Sequence, residues 1–266
     1  KNMEPKHEDI TLLKLDHPGA NDRAYRKRRK FIANQTGEFL YTKIENKTWT
    51  LVSKKLGALH KAHASSIYLD AKKKLGISKK FIPQLEDVSN RISSLGKFRL
   101  EPIGGLVNSR IFLSKLGERI MYCTRYVRHH SRPEYTPEPD IIHELIGHAP
   151  MFLNKEFADF SQRIGIGAHK ANNRQLRMIE RLYWFTVEFG LIREKNKVKA
   201  FGSGLLSSFG ELGHAFSGKP KWREFNIKEI IKTPYTYSEM QKVLFIIPSF
   251  KILKKKTEEF LLEEKL

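Results

Sequence analysis

Two histidines and an acid stand inside one apolar stretch, Thr136-Pro137-Glu138-Pro139-Asp140-Ile141-Ile142-His143-Glu144-Leu145-Ile146-Gly147-His148. Imidazoles bind transition metals, and two in one segment raise the question of a shared ion. The zinc-protease pattern His-Glu-x-x-His sets its rings at i and i+4, on one helix face. Here the second histidine falls at i+5. At ~100° per residue an ideal α-helix would hold these rings about 140° apart, so the zincin reading fails on geometry. The two can meet on a metal only if the helix loosens, and Gly147 and Pro150 flank His148 where that loosening is needed.

A carboxylate in an apolar setting would complete such a site. Glu188, in Tyr183-Trp184-Phe185-Thr186-Val187-Glu188-Phe189-Gly190, meets that description. On a continued helix its neighbours would be Trp184, Phe185, Leu191 and Ile192, among which a carboxylate is costly to bury without a cation. Two imidazoles and one carboxylate leave coordination positions open, as in non-haem Fe(II) oxygenases. The competing reading makes His143 and His148 ordinary core histidines and pairs Glu188 with a nearby Arg or Lys. The three together favour the metal.

The elements that would position these residues are mostly helical. Asp22 is suited to cap a basic helix ending near Ala33. Trp49, Val52, Leu56 and Leu59 form an apolar stripe on a helix over 46–63. Pro83 opens a helix toward Leu95 with Gly96 at its end, and Ser109 to Leu116 forms a short helix stopped by Gly117. Glu118 to Val127 alternates as a strand, with Ile120, Tyr122, Thr124 and Tyr126 on one side. Longer helices are expected from Asn173 to Leu191 and from Ser249 to about Leu262. No repeat, linker or boundary interrupts the chain. The expected fold is one mainly α domain with a small β component over residues 1–266, residues 1–15 forming an N-terminal extension.

Composition narrows the class. The 266 residues carry 49 Lys+Arg against 29 Asp+Glu, a net charge of +20. That balance raises nucleic-acid binding as an alternative, yet lysines are spread along the whole chain and only Arg23 to Lys30 is dense. No zinc finger, basic zipper or RNP-like motif accompanies it, so the nucleic-acid reading is disfavoured. The single cysteine, Cys123, excludes an intrachain disulfide and points to a reducing, cytoplasmic setting. No apolar run reaches the ~20 residues of a membrane helix.

Taken in order, these segments resemble the catalytic domain of the tetrahydropterin-dependent aromatic amino acid hydroxylases. The resemblance runs through Asp16-His17-Pro18-Gly19, Tyr25 to Arg29, Pro83 to Val88, Phe98-Arg99-Leu100, Tyr135 to His148, Phe157 to Gly165, Tyr183 to Gly190, and Gly204-Leu205-Leu206-Ser207-Ser208-Phe209-Gly210-Glu211. It covers nearly the whole chain and includes the basic helix. The resemblance implies Fe(II) held by His143, His148 and Glu188, with O₂ as co-substrate. It implies a tetrahydropterin, tetrahydrobiopterin or a relative, held by Gly105, Leu106, Val107, Ser109, Phe112 and Leu113, with Glu144 beside its ring. It implies an aromatic amino acid whose carboxylate pairs with Arg128. Thr136, Gly204 and Ser207 then stand around that substrate, Ser207 also orienting an iron-bound histidine, and Pro139 and Trp184 wall the ring pocket.

Trp184 is the residue type of the phenylalanine and tyrosine hydroxylases, whereas tryptophan hydroxylases tend to have Phe there. The expected reaction is therefore phenylalanine to tyrosine, with tryptophan 5-hydroxylation or mixed specificity as the alternative. Three departures bear on this: Tyr237 replaces a smaller residue that tunes substrate choice, Tyr122 stands in place of a histidine, and Glu180 in place of a small apolar residue near the pterin. With few residues before Asp16 and none after Leu266, the expectation is no regulatory domain and no tetramerising helix, hence a monomer or weak dimer.

Overall fold

The computed structural model describes Leu13 and residues 16–266; the expected extension, Leu13 apart, lies outside the described residues. Helix α1 (Arg23–Ala33) starts where Asp22 accepts the Tyr25 amide at 2.9 Å. Two of its arginines are already neutralised. Arg28 clamps Glu45 through Nε and Nη2, both at 2.9 Å. Arg29, buried, reaches Glu138 at 2.7 Å.

Helix α2 (Lys43–His63) begins at a reciprocal cap between Thr42 and Glu45. It lays Trp49, Val52 and Leu56 fully into the core, and Leu59 packs partly buried against it. Then follow α3 (Ser66–Leu75), α4 (Leu85–Gly96), strand β1 (Arg99–Ile103), α5 (Ser109–Leu116) and strand β2 (Ile120–Thr124). β1 and β2 lie parallel, with α5 as the crossover between them. The strand read over 118–127 is thus only five residues long. Residues on both its sides are buried, because α5 covers one face.

The chemistry-bearing region is not α-helical. His143–His148 forms a π-helical turn, followed by a 3₁₀ turn over Ala149–Leu153. Helices α6 (Lys155–Lys170) and α7 (Asn173–Tyr183) come next. The helix expected to run to Leu191 changes character at Trp184: Trp184–Glu188 is a second π-helical turn, and Leu191 already belongs to strand β3 (Leu191–Glu194). Apolar periodicity carries through the junction, which is why the sequence reads as one helix.

Strand β4 (Lys197–Ala200) pairs back on β3. After α8 (Ser203–Leu206) and α9 (Phe209–Ala215) come β5 (Lys221–Glu224), α10 (Ile227–Ile230), β6 (Val243–Ile247) and α11 (Phe250–Glu263). These strands build a four-stranded sheet in the order β4-β3-β6-β5 that the sequence reading missed. Each strand has only four or five residues, too short for alternation to declare itself. One core cluster runs from α2 to α11, and the fold is the expected single, mainly helical domain.

Candidate metal centre and active site

The i, i+5 spacing that defeats an α-helix suits a π-helix, whose backbone bonds close from i to i+5 and so bring residues five apart to one face. His143 Nε2 and His148 Nε2 lie 2.9 Å apart. Gly147 serves close approach, since a Cβ there would sit 2.7 Å from the Ser203 carbonyl oxygen. The second π turn delivers Glu188, whose Oε1 is 3.0 Å from His148 Nε2 and whose Oε2 is 3.5 Å from His143 Nε2. Metal bonds of about 2.1 Å meeting at right angles would set neighbouring donors roughly 3 Å apart. The three donors therefore fit one ion.

Hydrogen bonds fix the roles. Ser207 Oγ donates to the Ser203 carbonyl at 2.7 Å, so it must accept from His143 Nδ1, at 3.0 Å. The proton then sits on Nδ1, and Nε2 offers its lone pair to the centre. Ser203, which the sequence reading overlooked, has its Oγ 2.9 Å from Glu188 Oε2 and 3.0 Å from His148 Nε2. Its signal was position, four residues before Ser207 on one short helix. His148 Nδ1 has no hydrogen-bond partner among the described residues.

A second carboxylate, Glu144, also lies close enough to both imidazoles to be a ligand. Electrostatics separates the two. Burial pushes Glu144 up to about 8, and its Oε1 is turned toward the Thr124 amide and hydroxyl at 3.3 and 3.2 Å. Burial acts on Glu188 in the same sense, but His148, through charge and hydrogen bond, and then His143 bring it down to about 2. Glu188 is thus the carboxylate held as the anion beside the imidazoles, whereas burial favours the neutral form of Glu144. Burial holds His143 down to about 4. It acts against the charged form of His148 too, yet the Glu188 carboxylate raises that group above its usual value.

Arg128 is buried rather than exposed. Its Nε and Nη2 grip the two oxygens of Asp140 at 3.0 and 2.8 Å, and its Nη1 donates to the Pro133 carbonyl at 3.3 Å. Two of its five N–H groups remain for a ligand. Asp140 also accepts the His143 amide at 3.0 Å, so one carboxylate ties this arginine to the first imidazole. Asp140 lies within the quoted motif, and its role was not read from sequence. The neighbouring loop is pinned from outside, because Glu138 takes both Arg29 and the Tyr126 hydroxyl. Within it the Thr136 hydroxyl donates to the Glu138 carbonyl at 2.7 Å, and the Pro139 carbonyl accepts from Thr124 at 3.0 Å.

Trp184 stacks on Tyr235 with centroids 4.4 Å apart and packs on Phe189 at 4.6 Å. Its Nε1 donates to buried Gln241 at 3.0 Å. Gly204 is required where it stands, as a Cβ would meet the Phe189 ring at 2.5 Å. Tyr237 is 54% exposed, and its carbonyl accepts the Tyr135 hydroxyl. Gly105, Leu106 and Val107 precede α5. On α5, Leu113 enters the core, Phe112 meets Tyr183 edge-on at 6.1 Å, and Ser109 donates to the Glu180 carboxylate. No hydrogen bond joins this loop directly to the histidines among the described residues. On the side of α7 it packs through the contact of Phe112 with Tyr183, the last residue of that helix.

Glu211 supports this wall and carries a testable signature. It is buried, its Oε1 has no hydrogen-bond partner among the described residues, and burial pushes it up to about 7. A carboxyl whose folded value is raised stabilises the fold fully below its unfolded value. That stability is lost as pH rises to the folded value, here between about pH 4.5 and 7, and amounts to about 3 kcal/mol. Glu211→Gln should abolish this dependence, so its advantage over the parent protein in urea denaturation grows from pH 4.5 to pH 8. Parallel profiles would refute the assignment.

The sequence profile of the biopterin-dependent aromatic amino acid hydroxylases matches residues 6–265. The chain belongs to that family. It is 43% identical over 261 residues to mouse (Mus musculus) phenylalanine-4-hydroxylase, covering 93% of this chain and 58% of the relative. It is 40% identical over 262 residues to a tyrosine 3-monooxygenase of Schistosoma mansoni, covering 94% and 56%. The chain thus spans a little over half the length of these relatives. The phenylalanine hydroxylase of Chromobacterium violaceum, solved with iron(III) and 7,8-dihydrobiopterin, superposes with a TM-score of 0.81 at 27% identity, covering 90% of each chain. Among the described residues no helix is long and apolar enough to cross a membrane.

Proposed function

We propose that this chain hydroxylates the ring of an aromatic amino acid, phenylalanine to tyrosine, with Fe(II), a tetrahydropterin and O₂. The observation that carries the reading is the convergence of His143 Nε2, His148 Nε2 and Glu188 within 2.9–3.5 Å on two successive π turns. Iron and pterin, when bound, supply the reduction of O₂ and the oxygen atom that enters the ring. The protein's part is to hold and orient. His143 is locked by Ser207, and Glu188 is held by Ser203. Arg128 offers its remaining N–H pair to the substrate carboxylate, with Thr136 nearby. Glu144, held at Oε1 by Thr124, stands beside the pterin ring. Gly105, Leu106, Val107, Ser109, Phe112 and Leu113 cradle that cofactor.

Trp184 and Pro139 form the ring pocket, with Gly204 and Tyr237 at its edge. The indole of Trp184 is hydrogen-bonded to Gln241, stacked on Tyr235 and packed against Phe189, which resists its swinging aside for a bulkier substrate. That favours phenylalanine over tryptophan, while relatives named as tyrosine 3-monooxygenases keep tyrosine in the comparison. Phenylalanine, tyrosine and tryptophan should be assayed in parallel. The reading expects kcat/KM for phenylalanine to exceed the others by roughly tenfold or more, the usual yield of a shaped apolar pocket. Equal or greater turnover of tryptophan would move the specificity and leave the site intact. We place the enzyme in the cytoplasm as a monomer or weak dimer, which light scattering reads directly.

A further inference from the structure

Behind the turn that carries His143 and His148 lies a separate cavity of about 450 Å³, within the ordinary size range of small-ligand sites. Its wall is apolar where Leu69, Ile77, Leu145 and Pro150 line it. Its charged lining is all basic, Lys61, Lys72, Lys73 and Lys79, with no carboxylate among the lining residues. The lysine salt bridges among the described residues all lie elsewhere, at Lys115, Lys155, Lys242, Lys254, Lys255 and Lys256.

The cluster is more than a patch of solvated charge, because one member is fixed in place. His60, 1% exposed, has its Nε2 2.7 Å from the Leu206 carbonyl. A carbonyl only accepts, so the proton sits on Nε2 and Nδ1 is a lone pair. Lys72 Nζ donates to that lone pair at 2.6 Å. The ammonium therefore has one neutral partner and two further N–H groups. Burial, and then Lys79, bring Lys72 down to about 8, the direction expected of a cation held without a carboxylate beside it. Four cations without a counter-ion suit a multiply charged anion better than a single carboxylate, and lysine binds phosphate as a point charge.

We propose that this cavity binds a small phosphorylated molecule, with its phosphate on Lys72 and the neighbouring lysines and a ring or chain against Leu145 and Pro150. A bound molecule would touch the back of the segment between the two histidines, where the Tyr68 hydroxyl already donates to the Ile146 carbonyl at 2.7 Å. The proposal stands independently of the hydroxylase reading.

Calorimetric titration of the whole chain with AMP, inorganic phosphate and adenosine tests it. AMP should bind at one site per chain, inorganic phosphate should compete with it, and adenosine should bind far more weakly. Lys72→Met should weaken AMP roughly tenfold or more, the effect of losing one charge-assisted hydrogen bond. The exposed pair Lys73→Glu with Lys79→Glu should do the same without touching the core, and Lys27→Met on the basic helix α1 should leave the affinity unchanged. Absence of saturable AMP binding would overturn the proposal. So would equal weakening by Lys27→Met, the mark of diffuse attraction, or adenosine binding as tightly as AMP.

Discussion

Asp140→Ala is expected to destabilise the fold by about 3–5 kcal/mol, the cost of leaving a buried charge without its partner. The Arg128 and Asp140 side chains are 1% and 0% exposed. The carboxylate accepts four hydrogen bonds: the Arg128 amide at 2.7 Å, Arg128 Nε and Nη2, and the His143 amide. Alanine removes all four and strands the guanidinium. Asp140→Asn keeps an acceptor and loses the charge, so it should fall between the parent and the alanine variant. Urea denaturation of the three proteins checks this order. An Asp140→Ala protein within 1 kcal/mol of the parent, a margin typical of surface positions, would show that the pair contributes little.

Loss of Glu188 should be the most damaging change to function. Glu188→Ala deletes the one donor of the proposed centre that carries a charge at neutral pH. Its effect should exceed the ~10–100-fold that loss of an outer hydrogen bond costs a metal site, as Ser207→Ala would show alongside. Turnover of phenylalanine should fall to background while the fold survives, because an ionised carboxylate with 13% side-chain exposure is exchanged for a small apolar group. If activity in Glu188→Ala stayed within tenfold of the parent, Glu144 would become the better candidate for the third ligand.

Much of this was legible in the chain. Asp22 caps α1 through its side chain as expected, and α5 and α11 begin at or within one residue of the starts read at Ser109 and Ser249. Local chemistry sets those starts, so the sequence reveals them. The stripe on α2 was equally plain, being a matter of 3.6-residue periodicity. The i, i+5 spacing pointed to a loosened helix. It did not say that a π turn would provide it, since π turns have no composition of their own. The end of α7 was misplaced because Trp184 to Glu188 keeps the apolar pattern while its hydrogen bonds change. Strands β3 to β6 were hidden for another reason: Lys221-Trp222-Arg223-Glu224 pairs with the distant β6, and Lys197-Val198-Lys199-Ala200 is a four-residue hairpin arm whose partner begins at Leu191, read as the end of a helix. Asp140, Ser203 and Gln241 are polar residues whose roles exist only once distant segments meet. The burial of Arg128 on Asp140 likewise depends on residues twelve apart folding onto one point.

His143, His148 and Glu188 are proposed to hold a single iron between them. Anaerobic titration of the metal-free protein with Fe(II), read by equilibrium dialysis, tests it most directly. The account predicts one Fe(II) per chain, with affinity lowered by at least a hundredfold in each of His143→Ala, His148→Ala and Glu188→Ala, beyond what an outer hydrogen bond contributes. Iron held as tightly by any of the three folded variants as by the parent protein would contradict it.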